Sequence, residues 1–502
     1  MATSNSALHQ KLSDIAQLKS ALAVLMYDRE VFMPSKGSAP RADMLSFLAG
    51  ELHERVVAPD FIALVGDAKA AADAKRLPAD ESAIARELFR DVSRERKLPV
   101  EFVRELTHVT SEAYHVWMGA RKKKDFSAYA PTLERIVALK RREAELVGYK
   151  KTPYDALLDV YEPYATTGEI DAVLTDLRNF LVPFLAKIRA SRAGVSAAPI
   201  AGNYDVEKQK AFCALIVRQI GFDFEAGRLD VSAHPFSTGF HPRDVRITTR
   251  YNPKEVGESI SGAIHEAGHA MYEQGLPAER FGTPLGEAVS LGIHESQSRM
   301  WENMVGRSLP FWTYFYPLLQ KEFPAPLVAV SLDVFYRAMN VVRPSLIRVE
   351  ADEVTYNLHV ILRFEIERAL IEGSLGVADL PRIWNAKMKE LLGVDVPDDG
   401  VGVLQDVHWS GGAIGYFPTY SLGNLYSAQF FAAARRDLPD MDAQMARGEF
   451  GGLLGWLREK IHVHGRFYSA QELVQRATGE KLNIRHYADY ISKKYGAIYE
   501  LP

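Results

Sequence analysis

Residues 265–269 read His265-Glu266-Ala267-Gly268-His269, and no other stretch constrains the chain as strongly. Two histidines four residues apart share a face only on a helix, at 3.6 residues per turn. On a helix both imidazoles reach one Zn²⁺, and Glu266 stands beside the metal as a general base, the arrangement of a zinc peptidase. The flanks favour that conformation. Asn252-Pro253-Lys254-Glu255 supplies an N-cap residue, a proline at the first helical position and a glutamate at the third, and Gly275 and Pro277 supply a stop. Val256, Ile260, Ala263, Ile264, Ala267, Ala270 and Met271 recur at three-to-four spacing, which predicts a buried helix. The competing reading is two core histidines held by hydrogen bonds.

Composition narrows the class. With 502 residues, 47% hydrophobic and 25% charged, the chain is long enough for two or three domains or one large α-rich body. A net charge of −4 leaves no basic footprint for nucleic acid, and Arg121-Lys122-Lys123-Lys124 reads as a solvated helix end. The single Cys213 excludes an internal disulfide and a cysteine-based metal site, which fits a reducing cytosol. Met1 to Ser6 lack a charged leader with an apolar core, and no stretch approaches 18 uninterrupted apolar residues. The expectation is a cytoplasmic protein with neither a membrane nor a nucleic-acid partner.

Helical periodicity dominates, as in Leu12, Ile15, Leu18, Leu22 and Leu25, and again in Leu358, Ile361, Leu362, Phe364, Ile366 and Leu370. The fold is read as mainly α and as one domain over 1–502. Residues 1–200 form its helical N-terminal part, and 201–502 carry the catalytic motifs. Ser191 to Gly202 and Pro235 to Pro242 read as loops. One segment breaks the pattern: Val245, Ile247, Thr249 and Tyr251 alternate with Arg246, Thr248 and Arg250, predicting a short strand just before the motif helix. Such a strand either offers an exposed edge to an extended peptide or belongs to a plain structural hairpin.

A catalytic zinc needs a third protein ligand and an open position. The next promising segment is Ile293-His294-Glu295-Ser296-Gln297-Ser298-Arg299. Spacing alone leaves His294 and Glu295 both open, since adjacent helical residues differ by only about 100°. Glu287 and Glu302 are weaker candidates.

Six motifs occur in order: His234-Pro235-Phe236, Asp244-Val245-Arg246-Ile247-Thr248, the 265–269 run, His294-Glu295-Ser296-Gln297, Ile347-Arg348-Val349-Glu350-Ala351-Asp352, and Gly402-Val403-Leu404-Gln405-Asp406-Val407-His408-Trp409. Together they closely resemble the signature set of the carboxypeptidase Taq family of metallocarboxypeptidases. The likeness runs from Tyr27-Asp28 to the ending around Lys493 to Leu501. The chain departs from the family at Tyr27, where tryptophan is favoured; lying far in sequence from the 265–269 run, that change leaves the catalytic roles untouched.

The resemblance implies a large helical zincin of the gluzincin type, with a deep substrate cleft and a small β element beside the metal helix. It implies a homodimer that removes residues one at a time from peptide carboxyl termini, with broad specificity and proline disfavoured. By the family pattern His265, His269 and Glu295 hold one zinc per subunit, with cobalt a possible substitute, and Glu266 is the base. Two imidazoles and one carboxylate leave the site net positive, lowering the pKa of bound water toward about 7. A terminal carboxylate calls for a guanidinium, and Arg246, Arg250 and Arg348 lie in the family-like motifs. Arg348 is preferred, against an ion pair with Asp352 on a helix surface. For the oxyanion the candidates are His408 with Tyr416 or Tyr420, Tyr420 ahead, against the reading that these aromatics line a core. His234 and Arg246 would shape the substrate pocket, and Asp406 would orient a ligand histidine. The alternative function is a zinc oligoendopeptidase of related helical fold; a non-catalytic zinc-stabilised binding protein is a third.

Overall fold

The computed structural model describes residues 2–501, with side chains from residue 6 onward, so Met1 to Asn5 of the amino-terminal reading lie outside the described side chains. Helices dominate, and among the described residues there is a single three-stranded sheet. None of these helices is long and apolar enough to cross a membrane. The chain forms two compact units, each drawn from three stretches: Met1–Arg96, Ser196–Met339 and Tyr426–Leu482 make the first, and Lys97–Val195, Asn340–Leu425 and Asn483–Pro502 the second.

In the first unit the 265–269 run lies on the helix Gly257–Gly275, here the motif helix. Ile260, Ala263, Ile264, Ala267, Ala270 and Met271 are buried as their spacing predicts. The helix begins later than the flanking sequence suggested. Asn252 uses its side chain to accept the Lys254 N–H at 2.9 Å, closing a tight turn of its own, so the first helical turn falls after Val256. The stop is as expected: the helix ends at Gly275, followed by extended Leu276 and Pro277.

The motif helix packs on the sheet, whose strands are β1 (Gly227–Val231), β2 (Ser237–His241) and β3 (Asp244–Thr249) in the order β1-β3-β2. β3 is the strand read from the alternating residues. It does not offer an edge to a peptide, because it is central, parallel to β1 and antiparallel to β2. The segment read as a loop from Pro235 to Pro242 contains β2, which pairs with β3 as a hairpin despite its proline-rich ends. Val245 and Ile247 are fully buried.

In the second unit the helix Tyr356–Glu372 is buried nearly all round, against Ala130–Val147, Pro153–Leu158, Thr167–Ala190 and Leu380–Leu392. A carboxylate in its core ties down a loop. Glu367 accepts from Tyr154 Oη at 2.7 Å, Trp409 Nε1 at 2.8 Å and the Gly415 N–H at 3.0 Å. Gly415 has φ +96°, and a Cβ there would stand 2.7 Å from the Leu157 carbonyl carbon, so only glycine fits. The stretch from His408 to Gly415 is thereby held at both ends. The run Arg121 to Lys124 closes the helix Val100–Lys123, where positive charge suits the helix dipole.

Candidate active site

Two helices of the first unit supply the candidate metal ligands. His265 and His269 come from the motif helix, one turn apart. Glu295 comes from the helix Leu291–Arg299, whose start is fixed by Ser290 accepting the Ile293 N–H at 3.1 Å. The donor atoms of His265, His269 and Glu295 all lie within 4.8 Å of one another. His269 Nε2 is 3.3 Å and His265 Nε2 is 3.7 Å from the same oxygen, Glu295 Oε2. A tetrahedral centre with bonds near 2.0–2.2 Å has ligand–ligand edges of roughly 3.4 Å, so this donor set fits a divalent metal.

Both histidines are held from behind. His265 Nδ1 meets Glu302 Oε2 at 2.9 Å, and His269 Nδ1 meets His294 Nδ1 at 2.6 Å. Glu302 is therefore a partner of His265 rather than a ligand, and His294 is a partner of His269. Glu302 lies on a π-helical segment, Met300–Val305, that continues the helix of Glu295. Seven residues, two turns, separate Glu295 from Glu302, a spacing that marks a shared face in the sequence. Glu287, also weighed as a ligand, pairs with Arg466 at 3.0 Å instead. Arg299 steadies both acids, donating from Nε to Glu295 Oε1 at 2.7 Å and from Nη1 to Glu302 Oε2 at 3.2 Å.

The electrostatics suit a cation. Burial opposes a charged imidazole at His265, yet Glu295 and Glu302 overcome it and raise its pKa to about 9. At His269 burial prevails and lowers it to about 3, against the pull of the Glu295 carboxylate, leaving the neutral ring a metal requires. Glu266, 7% exposed beside this cluster, is pushed up to about 7 by burial, with His265 opposing and Glu295 and Glu302 adding. A buried carboxyl titrating near neutrality is suited to take up and return a proton.

A second cluster lies in the second unit. Arg348, read as lying on a helical stretch, stands instead in a 3₁₀ turn, Arg348–Glu350, is 4% exposed, and does not form the competing ion pair with Asp352. Asp352 turns back on its own backbone just before the next helix, accepting the N–H groups of Val354 and Thr355 at 2.9 and 3.0 Å. The partner of Arg348 is Asp406, whose Oδ1 accepts from its Nε at 3.1 Å and its Nη2 at 2.9 Å. Nη1 donates to Tyr356 Oη at 2.9 Å, and the guanidinium carbon lies 4.8 Å from the Tyr420 ring centre. The other oxygen of Asp406 takes Arg363 Nε at 2.6 Å. Asp406 is thus an arginine clamp, and the partners of His265 and His269 are the acid and histidine named above. His408 and Tyr420 come together, Nε2 to Oη at 3.2 Å, while the Tyr416 ring lies 5.4 Å from that of His408 and 5.2 Å from that of Tyr420.

Burial lowers His408 to about 4, with Asp406 opposing and Arg348 and Arg363 assisting. The unfolded chain binds that proton near pH 6.5. Stability from the neutral ring is therefore complete above about pH 6.5 and lost as pH falls toward 4. His408→Gln should accordingly lose less stability than the native chain between pH 7.5 and 5. Equal drops in the urea midpoints of the two proteins would rule this out.

Two further candidates lie in the first unit. Arg246 grips Asp244 with Nε and Nη2 at 2.9 and 3.0 Å and lies over the rings of Tyr27 and Phe240, 5.3 and 4.8 Å from their centres. His234 is exposed, and its carbonyl accepts from Ser232 Oγ at 2.6 Å. Tyr27, remote in sequence, is 1% exposed and donates to Asp230 Oδ2 at 2.5 Å on β1. The residue that departs from the family pattern thus supports Arg246. Arg250 pairs with Glu258 at the surface.

Similarity to known proteins agrees with this geometry. Residues 7–495 match the family carboxypeptidase Taq (M32) metallopeptidase. The chain is 44% identical over 499 residues to thermostable carboxypeptidase 1 of Thermus thermophilus, with 97% of each chain covered. It is 38% identical over 490 residues to carboxypeptidase 1 of Bacillus subtilis, covering 98% of this chain and 97% of the other. Its structure superposes on the M32 carboxypeptidase from Deinococcus radiodurans R1 with a TM-score of 0.96 at 38% identity, covering 99% and 100% of the two chains. The chain belongs to the carboxypeptidase Taq (M32) family of metallopeptidases, and it is a metallocarboxypeptidase.

Proposed function

We propose that the protein is a cytoplasmic, homodimeric zinc carboxypeptidase that releases residues one at a time from peptides with a free terminal carboxylate. Its specificity is broad, and terminal proline is disfavoured. The whole chain, 1–502, serves as one metallocarboxypeptidase domain. His265, His269 and Glu295 would hold one zinc per subunit, and cobalt suits the same donors. When bound, the metal supplies Lewis acidity toward the scissile carbonyl and the attacking water. Glu266 takes the proton of that water and returns it to the leaving amine. Tyr420, hydrogen-bonded to His408, donates to the oxyanion, with Tyr416 beside them. Arg348 receives the terminal carboxylate, and His234 and Arg246 line the substrate's path.

One observation carries the preference for terminal over internal cleavage. Arg348 and Arg363, 4% and 0% exposed, both pair with the single carboxylate of Asp406, two guanidiniums to one acid. Guanidiniums that share one acid can take a second, and an incoming terminal carboxylate would supply it. An endopeptidase has no use for such a pair.

The test compares a peptide of ten to fifteen residues with its amidated twin by mass spectrometry, with a chelator control. The expected result is a ladder from the free carboxyl end, absent with the amide and with the chelator. Internal fragments from both peptides would establish the oligoendopeptidase reading instead. Arg348→Ala should lower kcat/KM roughly 10- to 100-fold, the loss of a charged hydrogen bond of about 1.5–3 kcal/mol, with metal content unchanged. Release of metal by that variant would refute the role. A panel of substrates ending in different dipeptides checks specificity, and dominance by one side chain would overturn the broad reading.

A further inference from the structure

The hydrogen bond behind His269 does not end at its partner. His294 Nδ1 meets His269 Nδ1 at 2.6 Å, and His294 Nε2 meets Glu273 Oε1 at 2.7 Å. A carboxylate only accepts, so His294 Nε2 carries the proton in that bond. A neutral imidazole has one such proton, so His294 Nδ1 accepts and His269 Nδ1 donates. The remaining nitrogen of His269, Nε2, is thereby left with its lone pair 3.3 Å from Glu295 Oε2. With His294 neutral, this chain of bonds sets the tautomer a metal ligand needs.

We propose that His294 and Glu273 are positioning residues that act in series to fix His269 as an Nε2 ligand. The inference rests on the reading of His265, His269 and Glu295 as metal ligands. The motif helix supplies both ends, because His265, His269 and Glu273 are spaced by four on one face. The two ligand histidines are supported differently. His265 rests directly on Glu302, a buried acid with arginine neighbours. His269 rests on an acid reached through a second imidazole, and that acid lines a cavity of about 370 Å³ in the same unit. Gly239 on β2 leaves room for the outer acid: a Cβ there would lie 3.1 Å from Glu273 Oε2 and press on the carboxylate. The ring of His294 is also bounded by Tyr272, 5.3 Å between centres.

Zinc affinity of the apo-protein, measured by competition with a chromophoric chelator, tests the arrangement. Removing a group that orients a ligand histidine weakens metal binding about 10- to 100-fold. His294→Phe should show that loss. Glu273→Gln, which keeps an acceptor but removes the charge, should lose several-fold less, with the apo-protein melting as the native chain does. The double variant should bind zinc as His294→Phe does, because Glu273 acts only through His294. An unchanged dissociation constant in either single variant, or losses that add in the double, would overturn the proposal. Should His294→Phe fail to fold, Glu273→Gln decides alone, since its side chain is 25% exposed. His269→Ala separates the two readings: full zinc affinity there would refute the metal assignment, whereas a loss there without one in His294→Phe would refute the relay.

Discussion

Glu266→Gln is expected to lower kcat by about 10²- to 10⁴-fold, the usual contribution of a positioned general base, while zinc content and melting temperature stay near native. The substitution keeps the volume and one oxygen of a side chain that is 7% exposed, and removes only the capacity to accept a proton. Neighbouring charge makes the loss specific. Burial, Glu295 and Glu302 raise the proton affinity of Glu266, with His265 opposing, and an amide reproduces none of this. Steady-state hydrolysis of a peptide with a free carboxyl end, with metal quantified on the same sample, measures it. Retained turnover would move the base elsewhere, and loss of metal would make Glu266 a structural support of the site. The non-catalytic reading of the chain predicts no change at all.

Gly268→Ala is expected to damage both the stability of the fold and the metal site. Elsewhere alanine for glycine inside a helix stabilises by about 1 kcal/mol. Here the added Cβ would stand 2.6 Å from Ser298 Cα and 2.8 Å from the Gln297 carbonyl oxygen, both backbone atoms of the helix that carries Glu295. No flexible side chain is available to yield, so the two helices must separate. Overpacking of this kind costs about 1–3 kcal/mol. The functional loss should exceed that, because the gap opens between His269 and Glu295, which stand 3.3 Å apart. Thermal unfolding of the apo-protein and chelator competition for zinc would both register the change. An alanine variant that melts higher and holds zinc as tightly would show that the helices do not meet as described.

These two predictions divide neatly between what the chain discloses and what it conceals. Glu266 is legible as a candidate because its setting is local: the histidines on either side mark the helix, and 3.6 residues per turn does the rest. Gly268 is invisible as a contact, since nothing in the sequence says that Ser298 passes beside it. The same division runs through the site. Spacing does not separate Glu295 from His294; in the fold Glu295 joins His265 and His269 in the candidate donor set, while His294 bonds to His269 from behind. Arg348 stands out by its motif, and the ion pair with Asp352 weighed against it does not form. Asp352 is close in sequence, whereas Asp406, 58 residues away, is brought to it by the fold. The strand before the motif helix was visible from its alternation, yet its central place in the sheet required β1 and β2, whose sequences carry weaker patterns.

By itself the sequence determined what depends on short-range periodicity: the predominance of helix, the buried face of Gly257–Gly275, the pairing of His265 with His269, and the glutamate between them. Only the tertiary structure decided which distant groups complete each functional side chain. Glu302 behind His265, His294 and Glu273 behind His269, and Asp406 between two arginines are all such pairings. The reason is physical. A helix fixes its own neighbours within a few ångströms, but a buried polar group takes as its partner whichever atom packing brings within about 3 Å, and chain order does not encode that distance.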